Sequence, residues 1–247
     1  MLSVIQRSLR ASIEGRAERL GPFIVRFDEH SDNPFLNYAI PDEDAVPSSQ
    51  DVDSLIAAFV GRRRRPRLEY LTPSPGVDQA LEAAGFVTDL ELAVMTATPA
   101  AFLKPPAVPG LELEHIGPYD NDELWAVVTV QNAAFCETAA VSQHHVDDRR
   151  ATLQGGGGMV LARYLGTAVG AGVFTPPKYN LAEIAGIGVL AAYRRRHIAS
   201  AMVGALTEAV FATGATPYLQ TETINEKRLY GCLGYMTVGH LTATSLP

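Results

Sequence analysis

The sequence predicts a mixed α/β fold laid out in two parts of similar size, and three observations point that way. Stretches with strand-like alternation are followed by stretches whose apolar residues fall at helical spacing, an order that lets helices cover the faces of a central sheet. A proline-rich stretch from Thr96 to Pro109, TATPAAFLKPPAVP, divides the chain. Proline removes backbone donors and disfavours helix at the preceding residue, so this stretch is expected to be a linker. Both parts also end with the same grammar: PRLEYLTPSPGVDQALEAAGFVTDLELAV and TPYLQTETINEKRLYGCLGYMTVGHL each read as strand, short helix, glycine stop, strand. Setting Gly85-Phe86 against Gly234-Tyr235 places Gly76 opposite Asn225 and Leu81 opposite Tyr230. We read this as a degenerate internal duplication.

In chain order, the opening MLSVIQRSLRASIEGRAERLG mixes arginines and a glutamate with apolar residues and is expected to be an N-terminal helix, not a secretory signal. VDSLIAAFV is an apolar helical stretch followed by Arg62, Arg63, Arg64, Arg65 and Arg67, whose charge suits a helix C-terminus. That basic run is expected to be a solvated helix end, with an anion or partner contact as the other reading. In the second part LELEHIG alternates as a strand, while DNDELWAVVTVQNAAF is a helix with an acidic first turn. HHVDDRRATLQ forms another helix, and GMVLARYLGTAVGAGVF two strands joined near Leu165 to Thr167. LAEIAGIGVL is a further strand. The helix after it carries Ile198, Met202, Val203, Leu206, Val210 and Phe211 at helical spacing and stops at Gly214.

Composition narrows the function classes. A net charge of −7 weighs against general affinity for nucleic acid, and no run approaches 18 consecutive apolar residues, so neither nucleic acid nor a membrane is an expected partner. Cys136 and Cys232 are the only cysteines, too few for a disulfide scaffold, and are expected to be reduced and buried in a cytoplasmic protein. No metal site is expected.

The stretch that carries chemistry is Leu181 to Ser200, LAEIAGIGVLAAYRRRHIAS: a strand, a basic turn and a helix start. Backbone N–H groups at a helix start lack intrahelical partners and converge on anions, and small Ala199 leaves room for one. On local physics alone, a basic turn before an ordinary amphipathic helix remains an equal reading. The sequence is neither a GxxxxGK[ST] phosphate loop nor a GxGxxG dinucleotide fingerprint.

VLAAYRRRHIA, Val189 to Ala199, resembles the acyl-CoA-binding motif of the GNAT superfamily of N-acyltransferases. That motif has Arg or Gln first, Gly three positions later, and Gly or Ala two beyond. Arg194 and Ala199 match its ends, and His197 stands where the family usually has the middle glycine. Histidine there adds bulk and restricts the backbone; it is expected to point outward. Downstream, NEKRLYGCLGY, Asn225 to Tyr235, is similar to the family's late motif, with Asn225 as the expected helix N-cap and Gly234 as its stop.

The resemblance implies tandem GNAT-like domains, each a twisted, mixed, mainly antiparallel sheet flanked by helices. Residues 1–98 would be a degenerate copy without a productive CoA site, since Asp42, Glu43 and Asp44 replace the basic turn. Residues 99–110 would be the linker and residues 111–247 the catalytic domain. The implied activity is direct N-acetyl transfer from acetyl-CoA to a primary amine, most simply a small molecule, by a monomer or homodimer. The different-class alternative is an inactive CoA-sensing or protein-interaction module.

The resemblance also assigns roles. Tyr230 would donate to the departing thiolate, its other reading being a satisfied core tyrosine. Glu183 would serve as general base, its other reading being a solvent-facing strand residue or a salt-bridge partner, with Glu222 as rival and His144 and His145 as remoter candidates. Gly188, Val189 and Leu190 would contact the pantetheine arm, with an amide near Val189 or Leu190 aimed at the thioester oxygen. Arg194, Arg195, Arg196, His197, Ile198, Ala199 and Ser200 would hold the pyrophosphate, and Asn225 and Tyr230 would complete the cofactor contacts.

Overall fold

A computed structural model describes residues 1–29, 31–137 and 140–247. In chain order the first half contains α1 (Leu2–Ile13), β1 (Ala17–Leu20), β2 (Phe23–Arg26), β3 (Tyr38–Pro41), α2 (Ser49–Gly61), β4 (Arg67–Thr72), α3 (Pro75–Ala83) and β5 (Val87–Thr96). The second half contains β6 (Leu111–His115), α4 (Asn121–Ala134), α5 (Gln143–Gln154), β7 (Gly158–Tyr164), β8 (Thr167–Phe174), β9 (Leu181–Val189), α6 (Ile198–Ala212), β10 (Thr216–Thr221), α7 (Ile224–Cys232) and β11 (Met236–Ser245). The duplication is visible in the boundaries. β4, α3 and β5 match β10, α7 and β11 at both ends with the same 149-residue offset that relates Gly85 to Gly234. Both glycines are left-handed, at φ 85 and 87.

The chain forms two compact units that do not follow its halves. Unit 1 comprises Met1–Val94, Gln220–Glu222 and Thr237–Pro247. Its strands run β1-β2-β3-β4-β11-β5, so the last strand of the chain lies beside β4, antiparallel from His240↔Thr72 to Ser245↔Arg67. Phe23, Leu55, Phe59, Leu68, Tyr70 and Leu81 form its core. Leu81, which occupies the position of Tyr230, is simply a core residue. The predicted N-terminal helix stops at Ile13; Ala17–Leu20 and Phe23–Arg26 form an antiparallel hairpin instead of extending it. Left-handed Gly21 supplies its turn.

The arginine run is wired into unit 1. Arg62 pairs with Glu18 at 3.0 Å and lies over the Phe27 ring, and Arg64 reaches the Asp28 carbonyl and Asn37. Arg65 and Arg67 both pair with Asp89, and Arg67, its side chain only 5% exposed, also holds Glu69. These partners account for four of the five arginines.

Unit 2 comprises Met95–Leu219 and Thr223–Met236. Its strands run β10-β9-β8-β7-β6, with β9–β10 parallel and the other pairs antiparallel, the mixed and mainly antiparallel sheet expected of the family. Leu124, Val127, Val146, Met159, Leu161 and Ala171 form a core between α4, α5 and the strands. α6 buries Ile198, Met202, Val203, Leu206 and Val210, the apolar stripe seen in sequence, and ends at left-handed Gly214.

The proline-rich stretch is packed into unit 2. Leu103 N–H bonds the Leu233 carbonyl at 3.0 Å, and the Phe102 ring meets Phe211 edge-on at 5.9 Å. A Cβ on Gly234 would collide with the Ala101 carbonyl, which explains the glycine there beyond its left-handed φ. Both cysteines are exposed, contrary to the expected burial: Cys136 follows the end of α4, and Cys232 sits on the outer side of the last turn of α7.

Candidate functional site

The turn between β9 and α6 has an unusual backbone. After β9 ends, Ala191–Tyr193 make one 3₁₀ turn, and Arg194 is extended at φ −63, ψ 162. Arg195 and His197 then both take φ 61. Two left-handed non-glycine residues within three positions are costly, and such strain concentrates where a loop must present its backbone. His197 occupies the glycine position of the motif and adopts the conformation glycine would supply. Its imidazole is exposed and makes no capping bond to the helix.

The first backbone bond of α6 runs from Ala201 N–H to the His197 carbonyl at 3.0 Å. The amides of Ile198, Ala199 and Ser200 therefore have no acceptor within the helix and point out of its start. They open on a cavity of about 410 Å³ lined by Val189, Tyr193, Arg194, Arg195, His197, Ile198, Ala199, Ser200 and Leu229. Leu229 is half-buried in this wall.

The three arginines have different jobs. Arg194 donates Nε to the Val189 carbonyl and Nη2 to the Ala134 carbonyl, both at 3.0 Å, so its guanidinium ties the turn to β9 and to the end of α4. Arg196 lies over the rings of Tyr164 and Tyr193, at 5.4 and 5.8 Å. Arg195 makes no recorded ion pair or hydrogen bond through its side chain among the described residues, leaving its charge for the cavity it lines.

β9 carries a bulge. Its pairing with β8 passes from Val173↔Ala185 to Ala171↔Gly188, so Gly186 and Ile187 face the single residue Gly172. Gly186 has φ 61, and its carbonyl accepts from Gln131 Nε2 at 2.8 Å. Arg149 on α5 holds the Gln131 Oε1 through Nε and Nη2, at 3.2 and 3.1 Å. Burial lowers the pKa of that guanidinium, with Asp148 opposing. Gly188 is buried against Ala134, and the Leu190 amide is taken by the Val169 carbonyl at 2.9 Å. That bond removes Leu190 N–H from the groups able to face a thioester.

On the other side of β9, pairing with β10 covers Leu181↔Thr216, Ala182↔Pro217 and Glu183↔Tyr218. Glu183 Oε2 accepts a long bond from the Tyr218 hydroxyl at 3.5 Å, and its amide donates to Thr175 Oγ1 at 2.9 Å. Sequence reasoning missed Tyr218, because only the register of two strands set 35 residues apart brings it to Glu183. Glu222 is exposed and belongs to unit 1. His145 caps α5 by accepting from Ser142 N–H at 3.1 Å, and His144 lies 3.7 Å from Asp148.

α7 starts from a Thr223–Glu226 capping box, so the N-cap is Thr223 and Asn225 is an exposed second helical residue. Tyr230 is 8% exposed, with its ring 6.3 Å from that of Tyr235. The Tyr235 hydroxyl is satisfied by Thr207 at 2.6 Å. No bond to the Tyr230 hydroxyl is recorded among the described residues. Burial, reinforced by Glu226, pushes the Tyr230 phenol up to about 12.

Residues 125–235 match the model of the acetyltransferase (GNAT) family. This segment is a GNAT-family acetyltransferase domain. The match spans α4 through α7 and so includes the turn, the bulge and Tyr230. No curated protein gave a sequence match.

Solved structures share the architecture over most of the chain. A GCN5-related N-acetyltransferase from Kribbella flavida is 19% identical with a TM-score of 0.80, over 100% of this chain and 96% of that one. One from Sphaerobacter thermophilus is 14% identical with a TM-score of 0.66, over 91% and 76%. A tandem GNAT protein from the clavulanic acid biosynthesis pathway is 13% identical with a TM-score of 0.65, over 90% and 77%. At these identities the likeness is one of fold. No described helix is long and apolar enough to cross a membrane, and no described group of three or more His, Cys, Asp or Glu could hold a metal.

Proposed function

We propose that the GNAT domain transfers an acetyl group from acetyl-CoA to a primary amine of a small molecule within a ternary complex. The observation that carries this reading is the cavity at the start of α6, where the free amides of Ile198, Ala199 and Ser200 meet Arg195. A pyrophosphate there gains several oriented N–H donors and one uncommitted guanidinium. Arg194 shapes the turn, and Arg196 with Tyr164 and Tyr193 forms its basic, aromatic flank. His197 holds the left-handed position with its imidazole exposed. The pantetheine arm then follows β9 past Val189 and Gly188, with Asn225 and Tyr230 contributing from α7.

In the reaction the neutral amine attacks the thioester carbonyl, the C–S bond breaks and CoA leaves as thiolate. Glu183 accepts the proton released by the amine, directly or through water, with the Tyr218 hydroxyl orienting its carboxylate. Tyr230 donates a hydrogen bond to the sulfur. A phenol near 12 does not surrender its proton to a thiolate whose conjugate acid ionises near ~8.5, so Tyr230 stabilises the leaving group by hydrogen bonding and keeps its proton. The soluble partner is the amine, the place of action the cytoplasm, and the protein a monomer or homodimer.

Calorimetric titration with CoA and acetyl-CoA, followed by free-thiol release against an amine library, tests the proposal. Saturable binding with thiol release supports transfer. Binding without release from any amine favours the CoA-sensing alternative, which the bulky His197 in the cavity wall would suit. No saturable binding by the folded protein removes both.

A further inference from the structure

Beside the bulge of β9, one guanidinium of unit 2 carries a charge that no recorded ion pair among the described residues answers. Arg149 on α5 spends Nε and Nη2 on a single neutral oxygen, Gln131 Oε1, at 3.2 and 3.1 Å, and its Nη1 makes no recorded bond. Its neighbours show the contrast. Arg150 meets Asp147, Asn121 and the Pro118 carbonyl, and Arg163 is held between Glu114 and Glu123. Asp148, next in the chain, lies 3.7 Å from His144 and only partly offsets the burial that lowers the Arg149 pKa. Taking a cation out of water against a neutral dipole alone is unfavourable, and the loss is recovered when an anion takes the free edge of the fork. Arg149 is half-buried, not sealed, so such an anion can reach it.

The same side chains set that charge beside the proposed transfer site. Gln131, 4% exposed, gives its other amide end, Nε2, to the Gly186 carbonyl at 2.8 Å. Gly186 lies in β9 between Glu183, the proposed base, and Gly188 and Val189, the proposed path of the pantetheine arm. Arg149 is thus two hydrogen bonds from the strand along which amine and thioester would meet.

We propose that Arg149 selects the acceptor, and that the amine substrate carries a carboxylate close to its amino group, as an amino acid does. This rests on the acetyl-transfer function proposed for the domain. The planar fork keeps Nε and Nη2 on Gln131 while Nη1 takes the carboxylate, which leaves the amine on the side of β9. An amine without a carboxylate offers the guanidinium nothing and leaves it desolvated, so selectivity comes from the unpaired group as much as from the formed pair.

Free-thiol release from acetyl-CoA, measured with the full chain on α-amino acids and on their primary amides, tests this. The amide has the less basic amine, which is freer at neutral pH, so intrinsic reactivity favours the amide. The native chain should nonetheless prefer the acid at least about tenfold in kcat/KM, and Arg149→Gln should abolish that preference. Taking the ratio within each protein cancels any effect of Arg149 on the bulge, which both amines share. Arg149→Lys keeps the charge without the fork and should give an intermediate ratio, which decides the matter if Arg149→Gln fails to fold. No acid preference in the native chain, a preference that survives Arg149→Gln, or a ratio unchanged in Arg149→Lys overturns the proposal. Release without acid preference overturns it and leaves the transfer function standing, whereas release from no amine removes both.

Discussion

Tyr230 and Tyr235 are five positions apart on a short helix and the turn after it, yet only one hydroxyl is committed. Thr207 takes that of Tyr235, and Tyr230 is left with a donor and a desolvated ring. Tyr230→Phe should lower kcat for acetyl transfer about 10- to 100-fold, the value of one hydrogen bond to a charged atom, and leave CoA affinity within about twofold. A parallel loss of affinity would reassign the residue to binding. Because burial raises its pKa to about 12, the donating form is fully present below that value. Turnover should therefore show no loss attributable to the phenol between about pH 8 and 10, where an unshifted tyrosine would begin to ionise. His197 makes the complementary case. A left-handed non-glycine residue costs about 1–2 kcal/mol, so His197→Gly should raise stability to urea by about 1 kcal/mol and leave CoA binding equal or tighter. A less stable variant would mean that the imidazole makes a bond worth more than the strain. The motif made the turn and His197 legible in sequence. The free phenol was not, since it depends on Thr207 claiming its neighbour from 28 residues away.

At the scale of the element, LAEIAGIGVL shows a strand, but its bulge exists only relative to β8 and could not be read from one segment. The same holds for Glu183 and Tyr218, joined by register and not by spacing. Capping was legible in kind and shifted in place: Asn225 looked like the cap, while Thr223 and Glu226 satisfy each other two residues earlier. The bulge yields a test of how firmly α4 and α5 hold β9. A Cβ on Gly186 would lie 2.7 Å from Gln131 Nε2, in a backbone with φ 61. Gly166 is also left-handed, at φ 81, but a Cβ there meets nothing within 4 Å. Gly166→Ala should cost only backbone strain, about 1 kcal/mol, whereas Gly186→Ala should cost about 2–3 kcal/mol because Gln131 and Arg149 must also move. Equal losses in denaturant melts would show that the Gln131 bond to the bulge contributes nothing to β9.

At the scale of the whole molecule, the repeat was readable because three successive elements keep one offset, but the partner of the last strand was not. β4 and β10 carry equivalent patterns, and the alternation in β11 suits an antiparallel neighbour without naming which. The choice is made by six registered pairs with β4, by burial of Leu241 and Ala243, and by a hydrogen bond from Ser245 to Asp89, the carboxylate that also pairs with Arg65 and Arg67. These contacts join positions more than 150 residues apart, beyond the reach of any local pattern. They predict what the C-terminus does. Deleting Thr237–Pro247 strips β4 of its ladder from Arg67 to Thr72 and leaves the Asp89–arginine cluster without Ser245. Hydrogen exchange should then show lost protection along β4 in unit 1, while β7 and β8, paired with each other inside unit 2, remain protected. Protection retained in β4, or lost first in β7 and β8, would mean that the terminal strand supports the other unit, as its place in the repeat alone would have indicated.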